Sequence, residues 1–196
     1  MHAACSLATV LGLWQYEGGG AFHNSADIFK MQQPQTCAPA KNNTDIRELD
    51  QAKTGRILTG DRDALFDGPP ITAMLIQNTN PLNIVPEQRK VREGFAREDL
   101  FCAVHEHFMT DTAKMADIVL PATMFLEHND IYKGGGHQYV SLGLKLTDAP
   151  YIEYNGYPNG PRSNCEVVDG LAKRLGLGEE PVFNMTDLEH IDDILQ

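Results

Sequence analysis

Three short stretches carry the residue types that could hold a ligand. The first, Gln77-Asn-Thr-Asn-Pro81, offers side-chain amides and backbone donors at a turn, and no cation. The second, His105-Glu-His-Phe-Met-Thr110, offers an acid, two imidazoles and a threonine placed to open a helix. The third covers residues 121–128 and ends in His128. Together they suit a nucleotide. Helix-end N–H groups can receive phosphate oxygens, and a carboxylate can accept from a ribose hydroxyl or a guanine N–H. Alone, each is weak: Asn-Thr-Asn-Pro is commonly just a turn, and a strand-end Glu commonly just solvated. No GxGxxG and no GxxxxGK[ST] is present, so neither the usual dinucleotide fingerprint nor a P-loop is supported.

His105, His107, His128 and His137 invite a metal reading, and on a strand His105 and His107 would share a face. However, there is no HExxH and no carboxylate–His cluster at convincing spacing. Cys5, Cys37, Cys102 and Cys165 are far apart and form no CxxC, which excludes a zinc ribbon or iron–sulfur ligand run from this chain. A disulfide framework is not expected either, so the thiols read as reduced and partly buried. No GxSxG elbow supports a Ser–His–Asp set.

The three loops can cooperate only if they follow the carboxyl ends of neighbouring parallel strands, where open α/β sheets bind their ligands. The hydrophobic pattern supplies such strands. Residues 72–77 form a short, nearly continuous apolar run, as for a strand buried on both faces. Residues 86–96 read as a helix, with Pro86 near its first turn and Val91 and Phe95 spaced by four. Residues 100–104 form a second buried strand. Thr110 is the candidate cap of a short helix. Residues 117–120 form a third strand stopped by Pro121, with Asp117 and Pro121 in structural roles. Strand, helix, strand, helix, strand predicts a parallel sheet with right-handed crossovers. The expected fold class is α/β: a Rossmann-like parallel sheet flanked by helices, with long irregular connections.

Around this unit the chain is less regular. Residues 1–13 read as a buried helix ended by the Gly18-Gly-Gly20 loop. The stretch imitates a signal-peptide core, but no Lys or Arg precedes it and no small-residue cleavage site follows. It reads as the continuation of a longer polypeptide. Residues 22–30 suggest a short helix, 31–43 a surface excursion, 45–52 a helical turn and 55–70 a long connection. A long connection also follows Pro121, residues 137–146 alternate enough for one or two strands, and 151–162 read as a loop. Ser163-Asn-Cys-Glu166 is a capping box before a helix to Leu175, ended by Gly176. Residues 186–195 suggest a last amphipathic turn or two. The expected division is 1–70, a partial N-terminal segment; 71–178, the Rossmann-like domain; and 179–196, a tail.

Composition excludes several partners. The chain has 196 residues, 42% hydrophobic and 22% charged, enough for one α/β domain with an ordinary core. Its 16 basic and 27 acidic residues give a net charge of −11. That argues against gripping nucleic acid by its phosphates and against an anionic membrane surface. No apolar run reaches membrane-spanning length.

In order, Leu75-Ile-Gln-Asn-Thr-Asn-Pro81, Val104-His-Glu-His-Phe-Met-Thr-Asp-Thr-Ala113, Met115-Ala-Asp-Ile-Val-Leu-Pro-Ala122 and Phe125-Leu-Glu-His128 resemble the molybdopterin oxidoreductase family of the dimethyl sulfoxide reductase type. That family includes formate dehydrogenases and periplasmic nitrate reductases. The resemblance runs from about Trp14 to about Gly176, and T-x-T-A-x-x-A-D-x-V-L-P is its most specific string. Two places depart from the family pattern. Asn78 or Gln77 stands for the Gly of "GxNP", and residues 149–161 replace a short "PPGE" link.

The resemblance implies molybdenum or tungsten held between two molybdopterin guanine dinucleotides. The metal ligand and any iron–sulfur cysteines would lie upstream, and a further cofactor-binding domain downstream. This chain would then be the third domain, with residues 71–178 gripping one dinucleotide by its guanosine and phosphate end, and it would be inactive alone. Carried over by motif, Asn78, Asn80 and Pro81 would contact the cofactor at the turn, and His105 and Glu106 at the strand end that receives guanosine. Thr110 would do so at the helix start, His128 in place of a family lysine, and Asn164 in place of a family acid. No residue here would be catalytic or bind the metal. The implied partners are the remaining domains of the same polypeptide and a small-molecule substrate such as formate, nitrate or a sulfur or nitrogen oxide. No nucleic acid and no membrane insertion are expected. Family habit and reduced cysteines suggest the cytoplasm, with the periplasm left open. The alternatives are a freestanding nucleotide-binding α/β module without a redox role, and a His-based metal-binding domain.

Overall fold

A computed structural model describes residues 2–21, 46–137, 139–151, 153–154, 157–158 and 160–195. The helix expected at 22–30, the excursion at 31–43 and Cys37 lie outside the described residues. The centre is a parallel sheet of three strands, β1 (Ala73–Gln77), β2 (Phe101–Glu106) and β3 (Ile118–Pro121), in that spatial order. Gln77 pairs with His105 and Glu106 with Pro121, so all three strands end at one level. Before the sheet come α1 (His2–Val10) and α2 (Thr54–Leu58). The β1–β2 crossover carries α3 (Pro81–Ile84) and α4 (Gln88–Phe95), and the β2–β3 crossover carries α5 (Asp111–Lys114). An antiparallel hairpin follows, β4 (Asp130–Lys133) and β5 (Val140–Gly143), then the two-residue strands β6 (Glu153–Tyr154) and β7 (Tyr157–Pro158). The chain ends with α6 (Asn164–Arg174) and α7 (Asp187–Leu195). No helix among the described residues is long and apolar enough to cross a membrane.

The core lies on one face of the sheet. Ile76, Cys102 and Val104 pack there against Leu82 and Val85, Val91 and Phe95 of α4, and Ala113 of α5. The opposite face is open: Leu75 is 43%, Phe101 49% and Ile118 45% exposed. The expectation that β1 is buried on both faces is therefore corrected. Strands laid side by side in chain order, joined by crossovers of one hand, receive their helices on the same side. The alternate side chains are left without cover. The N-terminal helix is corrected too. It forms, but Leu7, Val10 and Leu11 are exposed, because among the described residues it packs mainly on the turn Leu13–Gln15 that follows it.

The stretch at 55–70, expected as a connection, begins instead with a helix. Gly55 of α2 lies against α4 so closely that a Cβ there would stand 2.9 Å from Val91 N, and Gly94 of α4 leaves room for Leu58. Leu58, 1% exposed, joins the sheet's core, which therefore runs continuously across residue 70. Arg97 binds the end of α2 to the start of β1 through the Leu58 and Ile71 carbonyls (2.9 and 3.1 Å), while pairing with Asp99.

Local signals work as read. Thr110 Oγ1 accepts from Ala113 N–H (3.2 Å) at the start of α5. At α6, Ser163 Oγ accepts from Glu166 N–H (3.2 Å) and Glu166 Oε2 accepts from Ser163 N–H (2.7 Å), the reciprocal box that satisfies two orphan donors. Gly176, at φ +81°, ends that helix. Asp117 is structural: its Oδ2 accepts from Cys102 N–H at 2.7 Å, joining the foot of β3 to β2. Burial, then Asp117, pushes the Cys102 thiol up to about 11.

Candidate functional site

At the carboxyl ends of the three strands lies a cleft of about 560 Å³. Its floor is the β1–α3 turn. Asn78 adopts the left-handed region (φ 57°), which asparagine tolerates better than most residues. Asn80 is fixed from behind. Thr112, with no exposure, donates its hydroxyl to Asn80 Oδ1 at 2.6 Å and accepts from Leu82 N–H at 3.1 Å. One wall is the end of β2. Glu106, its side chain 16% exposed, accepts from His107 N–H through Oε1 (2.8 Å). The other carboxylate oxygen has no protein partner among the described residues. The opposite wall comes from the hairpin and the start of α6, with Asp130, Tyr132, Arg162 and Asn164.

Three histidines tie these walls together, His105 and His107 by bonds to distant segments and His128 by a bond to nearby Thr123. His105 is 4% exposed; its Nε2 donates to the Arg162 carbonyl (2.9 Å), and its Nδ1 lies 3.2 Å from Gln77 Nε2. His107 Nε2 donates to the Thr123 carbonyl (2.8 Å). Thr123 Oγ1 meets His128 Nδ1 (2.9 Å), and His128 Nε2 lies 3.8 Å from Asp130. The segment at Arg162 continues the sheet for one step, since Arg162 N–H donates to the Pro121 carbonyl and Thr123 N–H to the Arg162 carbonyl, each at 3.1 Å. Among the described residues, two hydroxyls lining the cleft are buried without a partner, Thr79 Oγ1 and Tyr132 OH. Burial, then Asp130, raises the Tyr132 phenol. A buried unpartnered hydroxyl costs free energy, which a ligand or water accepting its proton removes.

Of the residues expected from sequence, Asn78, Asn80, His105, Glu106, His128 and Asn164 all line this one cleft. Pro81 and Thr110 do not. Pro81 is buried at the first turn of α3, and Thr110 is occupied as a cap. Sequence reasoning missed Thr79, Thr123, Tyr132 and Arg162. Arg162 stood beside a legible capping box, but its role depends on a strand-like pairing with residue 122. Tyr132 carried no signal in its own segment. Its ring fills the space at Gly143, across the hairpin. His107 lies beyond the end of β2, so it does not share a strand face with His105. Among the described residues no three His, Cys, Asp or Glu side chains converge as metal ligands.

A parallel sheet with a cleft at the strand carboxyl ends is the arrangement in which open α/β sheets bind their ligands. Residues 2–151 match the molybdopterin oxidoreductase family. Over 197 aligned residues the chain is 36% identical to "Probable oxidoreductase YoaE" of Bacillus subtilis (strain 168), covering 98% of this chain and 25% of that protein. It is 33% identical to "Probable oxidoreductase YyaE" of the same organism, covering 83% of this chain and 22% of that protein. It is 29% identical to a trimethylamine-N-oxide reductase of Haemophilus influenzae, covering 64% and 14%. The chain belongs to the molybdopterin oxidoreductase family, of the dimethyl sulfoxide reductase type. It spans a quarter or less of the length of these curated relatives.

Proposed function

We propose that the cleft binds the guanosine and phosphate end of one molybdopterin guanine dinucleotide. In this reading the chain is a cofactor-holding part of a molybdenum or tungsten oxidoreductase, with no turnover of its own. The observation that carries it is Glu106: a carboxylate at the central strand's end, one oxygen fixed by the backbone and the other open, beside a turn of amides. Such a group suits the adjacent N–H donors of guanine. The unpartnered hydroxyls of Thr79 and Tyr132 fit a ligand rich in oxygen acceptors.

When bound, the cofactor supplies the redox chemistry through its metal, and the protein supplies binding and orientation. Asn78 and Asn80 give amide N–H groups to ligand oxygens. Arg162, the one Lys or Arg in the lining among the described residues, pairs with phosphate. A net charge of −11 is no obstacle, because amides, hydroxyls and one guanidinium do the holding.

The test is to map amide chemical shifts of the ¹⁵N-labelled chain on adding GDP. The expected shifts cluster at residues 78–80, 105–107 and 162–164. Shifts confined to a second groove, lined by Leu120 of β3 and Val167 and Leu171 of α6, or none at millimolar GDP, would overturn the reading. Inactivity is checked separately: turnover of formate, nitrate or trimethylamine N-oxide with dye partners by this chain supplied with cofactor would contradict it.

A further inference from the structure

We infer that His105 is a positioning residue that sets the hydrogen-bond polarity of the cleft, turning Asn78 to face the ligand as a donor. This deepens the reading of the cleft as a nucleotide site and rests on it. His105 is too buried to be a principal ligand contact, and both its ring nitrogens are engaged within the protein. The Arg162 carbonyl can only accept, so His105 Nε2 carries a proton. Nδ1 is then the acceptor, and the group 3.2 Å away is the Gln77 side-chain nitrogen, a donor.

That bond orients a chain of amides. Gln77 Nε2, facing the ring, also lies 3.5 Å from Asn164 Oδ1. Asn164 then has its Nδ2 toward Asn78 Oδ1, again at 3.5 Å. Asn78 therefore spends its oxygen on Asn164, in an exposed contact, and keeps its N–H donors for the cleft. A primary amide has its oxygen at one end and its nitrogen at the other, so the orientation of one decides the next. Turning Gln77 over would set its oxygen against the Nδ1 lone pair and against Asn164 Oδ1, two contacts between acceptors. Each link past Gln77 is long, so each is weak. Their effect is one of direction.

The second asparagine of the turn is set the same way by an independent route. Thr112 donates to Asn80 Oδ1 at 2.6 Å, which again leaves nitrogen as the free end. One Asn80 Nδ2 proton reaches the Asn83 amide oxygen (3.2 Å) once that amide is in its hydrogen-bonded orientation, and the other is left over. Both asparagines thus meet the ligand as donors. The matching ligand atom is an acceptor oxygen, either phosphoryl or the guanine carbonyl.

The experiment uses the 196-residue chain, ¹⁵N-labelled, with GDP and guanosine as probes. The long-range imidazole spectrum of the unliganded wild type at pH 7 should show His105 protonated on Nε2, with Nδ1 a bare acceptor. A proton on Nδ1 overturns the proposal, whatever the chain binds. His105→Leu should move the side-chain NH₂ resonances of Asn164 and Asn78 and weaken GDP about tenfold. His105→Gln, which can still accept and donate, should keep affinity within about threefold. Equal weakening of guanosine assigns the acceptor to the base carbonyl, and weakening of GDP alone assigns it to phosphate. A folded His105→Leu with wild-type affinity and unmoved Asn78 resonances overturns the proposal. If the wild type binds neither probe, the nucleotide reading falls. The ring tautomer and the Asn78 resonances then still decide the role of His105.

Discussion

Thr112, on the second crossover, donates to Asn80 Oδ1 at 2.6 Å and accepts from Leu82 N–H at 3.1 Å, so one buried hydroxyl fixes the turn after β1. Thr112→Val keeps the shape and removes both bonds. It leaves a buried N–H and a carbonyl oxygen without partners, a loss of about 1–3 kcal/mol. Urea unfolding should show that loss, and Thr112→Ser should restore most of it. A Thr112→Val chain as stable as wild type would show that the bond is not made.

Asp117 is expected to act on stability and not on binding. Its carboxylate bond to Cys102 N–H, at 2.7 Å, is of the charge-assisted kind, worth about 1.5–3 kcal/mol. Asp117→Ala should lower the urea midpoint and leave GDP affinity unchanged. Weaker GDP binding at unchanged stability would contradict its structural role.

The Cys102 thiol gives a pH dependence of definite sign. Its value in the fold is about 11 against an ordinary 9.0, with burial the main cause. The folded chain therefore holds a proton that the unfolded chain loses first. Stability from this group is complete below about pH 9 and declines as pH rises from 9 toward 11. Mass-spectrometric mapping of thiol alkylation at pH 8 should find Cys5 modified well before Cys102. Comparable rates at the two sites would refute the burial argument.

Two helical glycines should respond to alanine with opposite signs. At Gly170 of α6 the nearest atom to an added Cβ is Arg174 Nη1 at 3.8 Å, so Gly170→Ala should gain up to about 1 kcal/mol of helix propensity. At Gly94 of α4 the added Cβ would meet the buried Leu58 side chain. Overpacking of about 1–3 kcal/mol should exceed the same propensity gain, so Gly94→Ala should be destabilising. Thermal melts of both variants check the signs.

These cases show what was legible in the sequence. β1, β2 and β3 were readable from short apolar runs between turn residues. The caps Thr110 and Ser163, and the stop at Gly176, were readable from chemistry within four residues. The helix α2 was not, because Gly55 looks like a breaker until Val91 of α4 is seen to need the space. β4 carries too little alternation to mark it, and its partner β5 fixes it only through pairing. Within the site, Asn78, Asn80, Glu106 and Asn164 followed from strand ends and motif. The part of His105 did not: its ring partner, the Arg162 carbonyl, lies 57 residues away, across a segment whose length departs from the family pattern. Thr79 and Tyr132 emerge only from the count of buried atoms left without partners.

The central claim is that Glu106 reads guanine at the end of β2, and calorimetric titration of GDP and ADP into wild type and Glu106→Gln tests it most directly. A carboxylate accepting from guanine N–H groups contributes about 1.5–3 kcal/mol, or roughly tenfold or more in affinity. The account predicts that wild type prefers GDP to ADP, that Glu106→Gln loses at least about tenfold toward GDP, and that its weaker binding of ADP hardly changes. Equal affinity of wild type and Glu106→Gln for GDP, with both chains folded, would contradict it.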